Sequence, residues 1–84
     1  MTHLVYIATW SETFPTRDRL IRTETKPFRF VQDATIWLAL EWMDFATVHN
    51  NPKLFVGSIL CVNTQNLNSY RIEWSPAVLN DWVL

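Results

Sequence analysis

The chain has 84 residues, 49% of them apolar, a single glycine, and seven basic against eight acidic side chains for a net charge of −1. A sequence this apolar offsets its ordering entropy by burial, which excludes a disordered chain, and its near-neutral charge speaks against both a strongly basic binder and an acidic nucleic-acid mimic. One globular domain, residues 1–84, is expected; a domain this small buries only about 60–65% of its unfolded surface, so its five Trp, five Phe and two Tyr must build a dense core.

In chain order, His3 to Trp10 is rich in Val, Ile, Tyr and Trp without a breaker and predicts a strand with apolar groups on both faces, hence a central one. Ser11 to Thr16, with Pro15 and hydroxyl residues, predicts a loop. Arg19 to Lys26 alternates Ile21, Thr23 and Thr25 with Arg22, Glu24 and Lys26, the pattern of a half-solvated strand paired to the first, with the charged set on the solvent side. Pro27 is expected to interrupt it because proline cannot donate to a ladder, and Phe28 and Phe30 then close over the core.

Residues 33 to 48 predict the one long helix, with Asp33 as N-cap and a stop near His49, where Asn50, Asn51 and Pro52 follow. At about 100° per residue, Ile36, Leu38, Ala39, Trp42, Met43 and Ala46 share one broad face. Trp37 falls on the other, beside Glu41 and Asp44, which predicts an exposed indole. Lys53 to Asn63 predicts a strand with Leu54, Val56, Leu60 and Val62 on one face and Phe55, Ile59 and Cys61 on the other. Its Gly57 marks a bulge or a close approach, with room for Trp42. Thr64 to Asn68 is a polar turn into Ser69 to Trp74, where Tyr70, Ile72 and Trp74 alternate with Arg71 and Glu73. Ser75-Pro76 predicts a short C-terminal helical turn docking Val78, Leu79 and Trp82. The resulting order β-β-α-β-β is an α+β domain, an antiparallel sheet with one amphipathic helix across one face; a partly curled, barrel-like sheet around the same helix is the alternative.

The chemistry such a chain can support is narrow. Cys61 is alone, which removes an intramolecular disulfide and a Cys-rich zinc site and fits a reducing cytoplasm; mid-strand and without a neighbouring cation, it reads as an inert buried thiol. Met1 to Trp10 lacks a basic leader region, and no run approaches the roughly 20 apolar residues that span a bilayer, so neither signal peptide nor membrane contact is expected. His3 and His49 are poorly placed as bases. Glu41 and Asp44 read as a solvated acidic face before they read as metal ligands, and one glycine cannot write a phosphate loop. No catalytic residue, metal or cofactor is therefore expected, and the chain reads as a non-enzyme.

Two surfaces remain. Trp37, Glu41, Asp44 and Val48 compose a candidate partner-binding surface, because an exposed Trp is a favoured interface anchor. Arg17, Arg19, Arg22, Lys26 and Arg29, against Asp18 and Glu24, give residues 17 to 29 a local charge of +3 and a second candidate surface for an anionic partner or nucleic acid. The leading expectation is a cytoplasmic protein-interaction module, an inhibitor or regulator that docks on a larger protein assembly and acts by steric occlusion. In size and class it looks like the small inhibitors that phages and mobile elements direct at host defence complexes, an analogy of class alone. The alternative is a nucleic-acid-binding domain using the 17–29 segment. Self-association into a homodimer, by an exposed edge strand or by basic segment against acidic helix, is compatible with the first reading.

Overall fold

A computed structural model describes residues 3–13, 20–48 and 55–75. Their elements run β1 (Leu4–Thr13), β2 (Leu20–Phe28), α1 (Val31–Val48), β3 (Phe55–Asn63) and β4 (Ser69–Trp74). The four strands form one antiparallel sheet in the order β2-β1-β3-β4, with α1 across one face, over β1, β3 and β2. This is the expected α+β arrangement. Among the described residues β2 and β4 are the edges of the sheet and do not pair with each other, so the sheet is open rather than closed on itself. The expected C-terminal turn, the helix stop signals, His49, Phe14 and Leu54 lie outside the described residues.

The register explains which side chains face the helix. Tyr6, Ala8 and Trp10 of β1 stand opposite Cys61, Ile59 and Gly57 of β3, and Ile59 and Gly57 stand opposite Ile72 and Trp74 of β4. Against this row α1 sets Ala34, Leu38 and Phe45, all buried. The small side chains Ala8 and Ala34, both fully buried, let helix and sheet approach, while Trp10, Phe45, Phe55 and Trp74 fill one end as an aromatic cluster. Trp10 stacks on Phe55 with centroids 5.1 Å apart, and Phe55 meets Trp74 edge-on at 5.9 Å, both within the range where aromatic pairs add to area burial. Gly57 lies between Trp10 and Trp74. A Cβ there would stand 3.2 Å from Cε3 of Trp74, so the glycine makes room for Trp74, not for Trp42 as expected.

Several boundaries depart from expectation for local reasons. β1 continues through Ser11, Glu12 and Thr13, with a register irregularity at its end. Of two cross-strand hydroxyl pairs, Thr9–Thr25 at 3.2 Å and Ser11–Thr23 at 2.6 Å, the second carries the ladder into the segment where a loop was expected. β2 runs through Pro27, which pairs with Ile7; an edge strand has one side without ladder bonds, so it tolerates a missing donor. α1 begins two residues early, with the Ala34 amide donating to the Phe30 carbonyl at 3.3 Å. Asp33 is therefore not the N-cap but an acid inside the first turn, where the helix dipole still favours it.

The face of the sheet away from α1 has no layer over it among the described residues. Val5 and Ile7 pair there with Val62 and Leu60, all half-buried. The β3–β4 loop closes with the Asn63 amide donating to the Asn68 carbonyl at 2.8 Å and the Leu67 amide donating to the Asn63 carbonyl at 2.7 Å. It is tied to the start of β1 by the amide of Thr64, which donates to the His3 carbonyl at 2.6 Å.

Candidate functional site

The rotation of α1 decides which of its side chains a partner can reach, and it differs from the expected one. The inward face is centred on Ala34, Leu38 and Phe45; Ala39 is buried and Trp42 and Ala46 are half-buried on one flank. Ile36 and Met43, expected inside, point outward. With Leu40 they stand at i, i+4 and i+7, one stripe on the surface of a helix, and they are 48%, 56% and 55% exposed for Ile36, Leu40 and Met43 respectively. The physical reason is that the helix is apolar nearly all round. Two rotations satisfy the apolar pattern, and the one adopted puts Phe45 into the aromatic cluster, 6.1 Å from Trp10 and 5.5 Å from Phe55.

Trp37 is accordingly half-buried rather than a free anchor. Its ring tilts against Phe28 of β2 at 5.8 Å and packs against the core. The other three residues of the expected partner surface, Glu41, Asp44 and Val48, do come together. They line a pocket of about 160 Å³ with Trp10, Arg22 and Phe45, and Val48 is 78% exposed at its rim.

The pocket is electrostatically unbalanced. Arg22 donates from Nη2 to Glu24 Oε2 at 2.7 Å and lies over the Trp10 ring, 5.0 Å from its centroid. The bond to Glu24 holds the guanidinium proton most strongly, opposed by burial and supported by the charges of Glu24, Glu12 and Glu41, so the Arg22 pKa is raised. The Glu41 carboxyl is pushed above its ordinary range, first by burial and then by repulsion from Glu24 and Asp44, with Arg22 and Lys26 pulling the other way. A carboxylate in that condition gains from an incoming cation. α1 itself bears Asp33, Glu41 and Asp44 and no Lys or Arg, so every charge on the helix that carries the apolar stripe is acidic.

The basic segment is not a continuous ridge where it is described. Arg17 and Arg19 lie outside the described residues. Arg22, Glu24 and Lys26 share the helix side of β2, being paired across from Glu12, Trp10 and Ala8, and not the outer face expected for them. They reach solvent by lying across aromatic rings, Arg22 over Trp10 and Lys26 over Phe28 at 5.6 Å, as long cationic side chains do at the margin of a core. Arg29 stands apart at the far end of β2, beside a pocket of about 620 Å³ that also includes His3, Pro27 and Thr64.

Among the described residues no three His, Cys, Asp or Glu side chains are grouped as metal ligands, and Cys61 is a free, buried thiol. Tyr70 stands across from it in the ladder, and its pKa is raised, first by a side-chain hydrogen bond to Cys61. No described helix is long and apolar enough to cross a membrane. Sequence reasoning missed the outward stripe of α1, although its signal was the same i, i+4, i+7 spacing used to locate the helix. Compared with protein-family models, with curated proteins and with solved structures, the chain matches none.

Proposed function

We propose that this chain is a non-enzymatic protein-interaction module that docks the outward side of α1 on a larger protein and acts by occluding the surface it covers. One observation carries the reading: Ile36, Leu40 and Met43 leave an apolar stripe open on the only described helix, and every charge that helix itself bears is acidic. A water-facing helix side is ordinarily polar, and an apolar one with a charged rim has the composition of an interface. The matching partner is an amphipathic segment with an apolar seam and Lys or Arg at its edges. Its seam would cover Leu40 and its neighbours, and its cations would approach Asp44 and the strained carboxylate of Glu41.

Trp37, packed on Phe28, does not insert into the partner in this reading. The test is titration of a synthetic leucine- and lysine-containing helical peptide into labelled protein. Shift changes concentrated on residues 36, 40, 43, 44 and 48, abolished by Leu40→Glu, are the expected result. Changes spread without regard to this side of the helix, or left unaffected by Leu40→Glu, would remove the proposal.

A further inference from the structure

The two edges of the sheet are finished differently. β2 carries Pro27, the Arg22–Glu24 ion pair and Lys26, the features that keep an edge from adding another strand. β4, Ser69–Trp74, has no proline or bulge, and its side chains from Ser69 to Glu73 are exposed, with Tyr70 at 58% and Ile72 at 36%. Its middle reads Tyr70-Arg71-Ile72-Glu73-Trp74: aromatic, cation, aliphatic, anion, aromatic. That order is its own complement when reversed.

We propose that two copies of the chain join edge to edge through β4, antiparallel about Ile72, forming one eight-stranded sheet. In this register Ile72 meets Ile72 on the two-fold axis, Arg71 faces Glu73 of the second copy twice over, and Tyr70 faces Trp74 twice over. Each is a pairing class that stabilises antiparallel strands. The backbone agrees. The Asn63 amide bonds the Asn68 carbonyl, so by the alternation of an antiparallel ladder Asn68, Tyr70, Ile72 and Trp74 turn their amides and carbonyls toward β3. Those of Ser69, Arg71 and Glu73 turn outward. Antiparallel strands exchange hydrogen bonds between directly opposed residues whose groups point at each other, and the register about Ile72 opposes Arg71 to Glu73. Charge complementarity and the backbone groups that face away from β3 therefore select the same register, and a one-residue slip would lose both. The helix leaves Tyr70 and Ile72 uncovered on its own side of the sheet. In the joined sheet the two copies of these residues become neighbours on the floor between two helices, and the dimer displays the outward side of α1 twice.

The inference does not depend on what α1 binds, and charge reversal tests it. Sedimentation of the full chain across a micromolar to sub-millimolar series should show a monomer–dimer equilibrium. Arg71→Glu and Glu73→Arg should each weaken dimerisation at least about tenfold, since two attractive cross-strand pairs become two repulsive ones, with an unchanged circular-dichroism melting curve at fixed low concentration. An equimolar mixture of the two variants should recover the dimer as a heterodimer, as should the double variant R71E/E73R as a homodimer. Leu40→Glu should leave association intact. A chain that stays monomeric throughout, a dimer indifferent to both reversals, or single variants that fail to rescue each other would overturn the proposal.

Discussion

The inward and outward sides of α1 are made of nearly the same residue types and have opposite fates. Leu38 is wholly buried and Leu40, two positions on, is 56% exposed. What separates them is only their angle about the helix axis, fixed by where Phe45 and Ala34 find complementary partners on the sheet. Composition thus makes the helix stick to something on both sides, and packing decides which side the domain keeps for itself. The remaining side is the one for which a function has to be sought.

That contrast can be broken by experiment, beginning where the expected effect is largest. Leu38→Ala should destabilise the fold by about 3–4 kcal/mol, within the range for a buried leucine that leaves a cavity, read by denaturant unfolding. Trp37→Ala should cost about 2 kcal/mol, less than for a fully buried aromatic because the ring is half covered. Leu40→Glu should change stability by no more than about 0.5 kcal/mol while abolishing partner capture. If Leu38 and Leu40 exchanged these ranks, α1 would be rotated by about half a turn from its described orientation.

The finest test concerns Glu41. Its folded-state pKa lies above its ordinary value because burial and Glu24 disfavour the charged form. The stability linked to its protonation is present below the unfolded pKa and is lost as pH rises through the folded one. Glu41→Gln, which cannot ionise, should therefore melt slightly above wild type at neutral pH and converge with it below about pH 4, where carboxylates protonate. A melting difference that ignores pH would show that the carboxylate is not held at a disadvantage. The same substitution should weaken binding of a cationic peptide.

The strands were legible in the sequence wherever polar and apolar residues alternate. β4 falls at the expected boundaries, and Phe55, Ile59 and Cys61 line the inner face of β3, because alternation sorts side chains into two faces; it does not say which face the helix covers, and on β2 Arg22, Glu24 and Lys26 take the helix side. Pro27 misled, since its effect depends on whether a strand is central or at an edge, which local sequence does not state. The helix was legible in extent and not in rotation: a period of 3.6 locates a face only through polar contrast, and Ile36, Leu40 and Met43 supply apolar groups where that contrast was needed. The candidate site inherits both results. Glu41, Asp44 and Val48 gather as expected because their spacing fixes them on one side. Trp37 does not join them because Phe28, nine residues earlier on another element, claims its ring.

Gly57 gives the sheet an unexpected point of adjustment. One methyl group at that position would press on Trp74 of the outermost strand from 3.2 Å, a contact tight enough that the side chain would have to give by a few tenths of an ångström. If two copies join through β4 as proposed, a change on an inner strand would thereby alter their fit through Trp74 without substituting any residue of the contact. In the proposed dimer, position 57 would tune the assembly from beneath the surface it adjusts.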